Sequence, residues 1–197
     1  MAAGKRPPKK DDIEQAAMEL FARHGFAGTT IKDIAAKAGV TEGALYRHYS
    51  SKEEMALTLF ERELEIIINS LVASLSLGGT GGEKLRRVVA YLYGSYEEKP
   101  WPLLFVILNF QNLQGESRLD DKKHIYDYVI QYVRELFEGA EDVGSEGGCD
   151  YEFQATLIAG LVIQPIIFHY YERLSRHPVE YVEDITRSCC LLTGLKL

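Results

Sequence analysis

Cysteine is scarce in this sequence, with three among 197 residues and two of those adjacent. So few cysteines cannot build the disulfide framework of a small secreted protein, so we expect a reducing, cytoplasmic setting. The first residues, MAAGKRPPKK, are basic, but no apolar run of the kind a secretory signal needs follows them. The apolar stretch at 155–171 is short for a bilayer and is interrupted by polar residues, which predicts a buried helix and no membrane span.

Signatures of catalysis and of metal binding are also missing. The five histidines share no metal-ligand spacing, and neither Cys-x-x-Cys nor His-x-x-x-His occurs. The glycines at 78–82 lack the Gly-Lys-Ser/Thr ending of a phosphate-binding loop, which indicates a linker. Cys189 and Cys190 lie in a predicted helix, where packing is their expected role. The sequence therefore predicts no enzyme, no cofactor and no metal site.

Strand patterns of period two and internal repeats are absent, and the remaining pattern is helical. We predict an all-α fold of about nine helices, with a three-helix domain at 1–50 and a larger domain at 51–197. The first ten residues would form a basic arm of the small domain. The helices after residue 50 are predicted at 51–77, 83–98, 100–113, 119–139, 151–176 and 179–192.

Two short helices joined by a glycine-containing turn are predicted within residues 29–54, TTIKDIAAKAGVTEGALYRHYSSKEE. In the first of them, Thr30 and Asp33 form a capping box, and Gly39 follows as a residue that takes positive φ readily. Its apolar residues recur with helical spacing on one face: Ile31, Ile34, Ala35 and Ala38. An upstream helix at 11–24 adds another apolar face, so three helices would share a small core.

The second short helix keeps its apolar residues on one side. Leu45 and Tyr49, four residues apart, point back to the core, so Tyr49 is expected to be a packing residue. Gly43, Tyr46 and Arg47 are left on the opposite side. This is the arrangement of a helix-turn-helix, whose second helix must be anchored behind and open in front to enter a DNA groove.

This segment resembles the DNA-binding domain of the TetR-type bacterial repressors. The shared pattern is F-x-x-x-G-F-x-x-T-T from Phe21 to Thr30, then I-A-x-x-A-G-V-T-x-G-A-L-Y-x-H-Y-x-S-K-E-E from Ile34 to Glu54. The resemblance implies an N-terminal reader of double-stranded operator DNA and a C-terminal helical domain that binds a small molecule and forms a homodimer. The rest of the chain resembles the family in length and helical pattern, so no particular ligand is implied.

The charge distribution supports a DNA-reading N-terminus. The formal net charge of −7 divides into +2 for residues 1–50 and −9 for residues 51–197. Because negative charge is kept away from the short helices, their basic residues can act locally on phosphates. For the basic arm, a solvated tail and an arm lying along the DNA both stay open.

Candidate DNA contacts follow from side-chain chemistry and from the resemblance. Threonines at helix N-termini offer a hydroxyl, free N–H groups and the helix dipole to a phosphate, and arginine can bind a guanine edge or a phosphate. A glycine lets the backbone approach the DNA closely. The predicted contacts are Thr30, Lys32, Thr41, Glu42, Gly43, Ala44, Tyr46, Arg47, His48 and Lys52.

The last two helices carry broad apolar faces, which predicts an interface with a second copy of the chain. This assignment rests partly on the resemblance, because the family usually dimerises through its final two long helices. The predicted interface residues are Leu157, Gly160, Leu161, Ile167, Tyr171, Val182, Ile185 and Cys189.

Aromatic residues with a few amides, phenols and one imidazole predict a pocket for an apolar or aromatic small molecule. The predicted lining is Trp101, Phe105, Asn109, Asn112, Tyr128, Tyr132, Gln164, Phe168 and His169. An ordinary core with satisfied polar groups is the alternative for each of these residues.

Together these patterns predict a ligand-responsive transcriptional repressor that binds a pseudo-palindromic operator as a homodimer and releases it when a small molecule binds. The alternatives are an activator or a corepressor-dependent regulator, a small-molecule-binding protein whose DNA head is vestigial, and a nonspecific DNA-coating protein.

Overall fold

The computed structural model describes residues 10–113, 125–137 and 150–197. Within these ranges all regular structure is helical, so the predicted all-α class is confirmed. The α-helices are α1 (Lys10–His24), α2 (Ile31–Ala38), α3 (Glu42–Tyr46), α4 (Lys52–Ser76), α5 (Gly81–Glu98), α6 (Pro100–Leu113), α7 (Ile125–Phe137), α8 (Tyr151–Tyr170) and α9 (Val182–Thr193), and a 3-10 helix (Pro178–Tyr181) precedes α9. Most of the predicted basic arm, and both ends of the helix predicted at 119–139, lie outside the described residues.

Two helix boundaries differ from the sequence prediction. Helix α5 begins at Gly81, inside the predicted linker, because Thr80 and Glu83 form a reciprocal capping box with N···O distances of 2.8 and 3.1 Å. Helix α8 ends at Tyr170 and does not reach Arg176, because Glu172 takes a left-handed φ of 57°. Both predicted boundaries were therefore wrong.

The helices group into two compact units, unit 1 (Met1–Leu64 and Trp101–Arg118) and unit 2 (Glu65–Pro100 and Leu119–Leu197). Helix α4 contributes its first half to unit 1 and its second half to unit 2. Nearly all of α6 belongs to unit 1, together with α1–α3. This grouping describes packing, and the division into domains at residue 50 stays a prediction.

Unit 1 is built around three phenylalanine rings from three helices. The ring of Phe105 on α6 lies 5.5 Å from that of Phe21 on α1 and 6.3 Å from that of Phe60 on α4, measured between centroids. All three side chains are fully buried. Aromatic contacts at these distances add to the stabilisation from apolar burial.

Unit 2 contains buried polar groups that are satisfied by specific partners. The Tyr93 hydroxyl on α5 donates to the carbonyl oxygen of Val162 on α8 at 3.0 Å, and the Ser74 hydroxyl on α4 lies 3.2 Å from the Tyr132 hydroxyl on α7.

Helix α8 is long and apolar enough to cross a membrane, with a mean hydropathy of 1.4 over its most apolar part, although core helices of folded proteins reach the same value. Its predicted role in a folded, non-membrane core stays a prediction.

The first turn of α5 packs too closely against the backbone to accept a side chain at Gly82. A Cβ there would lie 2.7 Å from the carbonyl oxygen of Lys196 and 2.8 Å from the Cα of Leu197, and the Gly82 N–H donates to that same oxygen. We expect Gly82→Ala to lower the free energy of unfolding by about 1–2 kcal/mol, because backbone atoms must move. Urea unfolding followed by circular dichroism measures the change.

Gly94, in the same helix, provides the matched control. No heavy atom of the described residues lies within 4 Å of a Cβ placed there. Gly94→Ala is therefore expected to stabilise the protein by roughly 0.5–1 kcal/mol, since alanine loses less entropy than glycine on entering a helix. Equal shifts for the two variants would contradict the close packing at Gly82.

Candidate nucleic-acid interface

Helix α2 has the start and the end that its sequence predicts. The Thr30 hydroxyl accepts from the Asp33 N–H at 3.2 Å, and the Asp33 carboxylate accepts from the Thr30 N–H at 3.1 Å. The hydrogen bonds from Thr30 lower the pKa of the Asp33 carboxyl. At the other end Gly39 has a φ of 70° and its N–H donates to the backbone of the last turn. The capping box and the glycine terminus are both confirmed.

Helix α3 starts at the predicted place, but Thr41 does not cap it through its side chain. Thr41 has the extended backbone of an N-cap residue, and its carbonyl accepts from the Ala44 N–H at 2.9 Å. Its hydroxyl makes no capping hydrogen bond with the described residues of α3. This exposed hydroxyl can therefore serve an outside acceptor or donor.

The outer face of α3 is open, and its inner face is anchored. Leu45 is fully buried behind the helix, while the Tyr46 side chain is 53% exposed. Ala44 is half-buried, and the other predicted contacts from the second helix are exposed: Thr41, Glu42, Gly43, Arg47 and His48. We call α1–α3 the reading head, because this open face has the form that a major groove accepts.

A buried carboxylate fastens the end of α3, and the sequence analysis missed it. Glu14 on α1 is 4% exposed, and it accepts hydrogen bonds from the Tyr49 hydroxyl and the Arg62 guanidinium. Burial raises the pKa of Glu14, but these two hydrogen bonds, together with the positive charges of Arg62 and Lys10, outweigh it and leave the pKa below its usual value. Tyr49 is buried, as predicted. The spacing of Glu14 from Met18 and Phe21 on the apolar face of α1 was the available signal.

Lys52, a predicted phosphate contact, is already engaged within unit 1. Its ammonium donates to the carbonyl oxygens of Phe26 and Thr29, at 2.9 Å in both cases. It also lies 4.2 Å from the centroid of the Phe26 ring. The side chain is half-buried, whereas Lys32, the other predicted lysine contact, is exposed.

The comparisons with known proteins agree with this geometry. A family model described as bacterial regulatory proteins, tetR family, matches residues 13–59. The chain is 29% identical over 161 residues to the fatty acid metabolism regulator protein of Bacillus subtilis. The aligned region spans 81% of this chain and 82% of that protein. Over these residues the chain therefore matches the TetR family of bacterial regulators, and the predicted resemblance is confirmed.

Two further relatives extend the comparison. A 63-residue stretch of this chain is 40% identical to the HTH-type transcriptional regulator YerO of Bacillus subtilis, and it spans 32% of the chain but only 22% of that regulator. The solved structure of the regulator FadR from Bacillus subtilis in complex with stearoyl-CoA matches with a TM-score of 0.68 at 20% identity, over 95% of this chain and 100% of that one. At that identity the likeness shows a shared fold. The predicted TetR-type transcriptional regulator is confirmed.

Three residues predicted to line the effector pocket face the reading head. Trp101, Phe105 and Asn109 are spaced by four along α6 and so share one face. The Arg23 guanidinium lies 4.5 Å from the Trp101 ring centroid, and Asn109 donates to the carbonyl oxygen of Phe21 at 3.1 Å. Their role in a pocket stays a prediction, and the side chain of Asn112 lies outside the described residues.

The other predicted pocket residues belong to unit 2. Tyr132 is buried against Ser74, and Tyr128 is half-buried. Gln164 and Phe168 are exposed on α8. The Nδ1 atom of His169 forms a 2.9 Å hydrogen bond with the Tyr96 hydroxyl, and the ring centroids of His169 and His177 are 4.7 Å apart. Burial, with a smaller contribution from His177, lowers the pKa of His169.

The predicted dimer face contains exposed apolar surface on α8 and α9. Gly160 and Tyr171 are exposed, and five others are half-buried: Leu157, Leu161, Ile167, Val182 and Ile185. Cys189 is 0% exposed inside unit 2, so its side chain does not reach this face, and burial raises its pKa to about 12. Large exposed side chains that the prediction omitted lie on the same two helices: Phe153, Phe168, Leu191 and Leu192.

Proposed function

We propose that this TetR-family regulator is a cytoplasmic repressor that binds a pseudo-palindromic operator as a homodimer. The observation that carries the proposal is the open face of α3, with Leu45 buried behind it and Tyr49 fastened to Glu14. Two such faces would lie about one turn of DNA apart, roughly 34–36 Å, so that both reading heads enter successive major grooves. A single head contacts too little DNA for specific binding.

The proposed base contacts come from Tyr46 and Arg47, and the proposed phosphate contacts from Thr41, Lys32 and His48. Arg47 supplies the fork of donors that matches a guanine edge. The free hydroxyl of Thr41 suits a phosphate oxygen, because no capping bond within the described part of α3 occupies it.

The proposed effector is a molecule with a long apolar chain, such as a fatty acyl thioester. Two observations support this class: a relative matched over 82% of its length is named a fatty acid metabolism regulator, and a protein of the same fold is solved with stearoyl-CoA. The apolar run of α6 at 101–108 and the apolar composition of α8 also suit an acyl chain. The effector would act through its higher affinity for a dimer whose reading heads do not match the operator.

The test begins with selection of a preferred duplex from a random pool, followed by titration of that complex with stearoyl-CoA. We expect the operator affinity to fall at least about tenfold at saturating stearoyl-CoA, which corresponds to about 1.4 kcal/mol of coupling. Free coenzyme A is the control for the nucleotide part of the ligand. A tighter complex would indicate a corepressor mode, and no preference among duplexes would reject operator recognition.

The salt dependence of operator binding separates the two lysine roles. Lys52→Met is expected to weaken operator binding without changing the slope of log K against log salt, because its charge already binds carbonyl oxygens of unit 1. Lys32→Met should reduce the slope by about 0.9 per protomer, as expected when one phosphate contact is lost. Fluorescence anisotropy at several salt concentrations measures both. A reduced slope for Lys52→Met would identify Lys52 as a phosphate contact.

A further inference from the structure

Side chains from outside α1 and α2 bind carbonyl groups near the end of α1 and in the connection that follows it. The Thr29 hydroxyl, itself buried, lies 3.1 Å from the carbonyl oxygen of Leu20 and 2.9 Å from that of Gly25. Lys52, at the start of α4, holds two carbonyl oxygens further along. Side-chain hydrogen bonds to carbonyl groups at and beyond a helix end add to the backbone bonds that hold the chain there.

Asn109 provides the remaining partner, and it comes from α6. Its side chain is 1% exposed, and its amide nitrogen donates to the carbonyl oxygens of Phe21 and Phe105, at 3.1 Å in both cases. An amide nitrogen has two N–H groups. One therefore bonds within α6, which fixes the orientation of the amide, and the other crosses to the last turn of α1.

The other two contacts on this face of α6 are less directional. The Arg23 guanidinium lies over the Trp101 ring, and the Phe105 ring packs beside the Phe21 ring. Ring contacts of this kind tolerate small sliding movements, whereas a hydrogen bond weakens steeply when its angle changes. The bond from Asn109 is therefore the most directional of these three contacts between α6 and α1.

We propose that Asn109 is a positioning residue of the reading head: its hydrogen bond to the Phe21 carbonyl holds α1 in register with α6. Helix α1 is linked in turn to the end of α3 through Glu14 and Tyr49, so a shift of α6 reaches the reading helix along a chain of specific contacts. The inference rests on the proposed operator-binding function. It adds that the packing of α6 on α1 sets the direction of the reading helix.

The first test uses the free protein and needs neither operator nor effector. Asn109→Leu keeps the approximate volume but removes both N–H donors, and Asn109→Ala serves if the leucine variant folds poorly. We expect amide hydrogen exchange in residues 21–29 to accelerate at least about tenfold, with unchanged exchange in α7 of unit 2. Uniform acceleration across both units, or none at all, would overturn the proposal.

Thr29→Val is the matched control, because it removes a buried hydroxyl from the same connection without touching α6. The readout is the ratio of affinities for the selected operator and for one with a single base pair added between its half-sites. Wild type and Thr29→Val should show the same affinity ratio. In Asn109→Leu the ratio should fall at least about threefold, since the orientation of its reading heads is less fixed. Equal discrimination in all three proteins would overturn the positioning role.

Failure of the proposed function would look different from failure of this inference. A wild-type protein without any preferred duplex would reject operator recognition, and the hydrogen-exchange comparison would then still decide whether Asn109 holds α1 in register. A wild type with a preferred duplex whose spacing discrimination survives in Asn109→Leu would retain the proposed function and reject the inference.

Discussion

Gly160→Glu is expected to convert the regulator to a monomer and to weaken operator binding by about a hundredfold or more. In the proposed dimer this glycine lies at the α8–α9 face, so a carboxylate there would be buried without a partner, at a cost of several kcal/mol. A two-fold axis places the change on both sides of the interface. Within the protomer we expect little disturbance, since no heavy atom of the described residues, apart from its chain neighbours and the backbone of its own helix, lies within 4 Å of a Cβ at this position.

Sedimentation velocity gives the mass, and anisotropy with the selected operator gives the affinity. Gly94→Glu is the control, because it adds the same side chain to a helix glycine with equally open surroundings on α5. It should remain dimeric and bind the operator as wild type does. A dimeric Gly160→Glu protein with unchanged affinity would place the interface elsewhere.

Tyr49→Phe is expected to lower the free energy of unfolding by about 1–3 kcal/mol at neutral pH, because it leaves a buried oxygen of Glu14 without its donor. The difference in the free energy of unfolding between Tyr49→Phe and wild type should become smaller at low pH. The pKa of Glu14 is lowered in the folded protein, so its contribution is fully present above the unfolded value of about 4.5 and is lost as pH falls through the folded pKa. The variant has less of this contribution to lose, and its stability should depend less steeply on pH.

Urea unfolding at several pH values from 7 down to 4 tests this expectation. Tyr46→Phe is the control, because the Tyr46 side chain is exposed on the reading face and its hydroxyl is not expected to stabilise the fold. Parallel pH profiles for Tyr49→Phe and wild type would show that the hydrogen bond does not lower the pKa of Glu14.

Local chemistry predicted the reading head well. The Thr30–Asp33 capping box, the left-handed Gly39 and the burial of Leu45 and Tyr49 all depend on residues close in sequence. Spacing and cap residues carry that information directly. The start of α5 and the end of α8 were harder to predict. A capping box inside a glycine-rich segment and a glutamate with left-handed φ do not resemble the usual signals for helix ends.

The contacts of α6 could not be read from its sequence. This helix is apolar on nearly every side, so periodicity does not say which neighbour each face meets. Asn109 was predicted to line a pocket, with a satisfied core position as the alternative, but its partner, the Phe21 carbonyl, lies 88 positions away in the sequence. Glu14 was missed for the same reason, since its partners come from α4 and from the residues just before it.

The brevity of α3 ties DNA recognition to the thermodynamics of the head. The helix has five residues, far fewer than the roughly 12–15 that an isolated helix needs in water, so its shape is imposed by Leu45 and by the Tyr49–Glu14 bond. If that small core is loosened, α3 must be ordered when DNA binds, and the cost of ordering it lowers the operator affinity. Warming or a distant core substitution should weaken operator affinity before the protein unfolds, and a temperature-sensitive regulator needs no altered DNA contact.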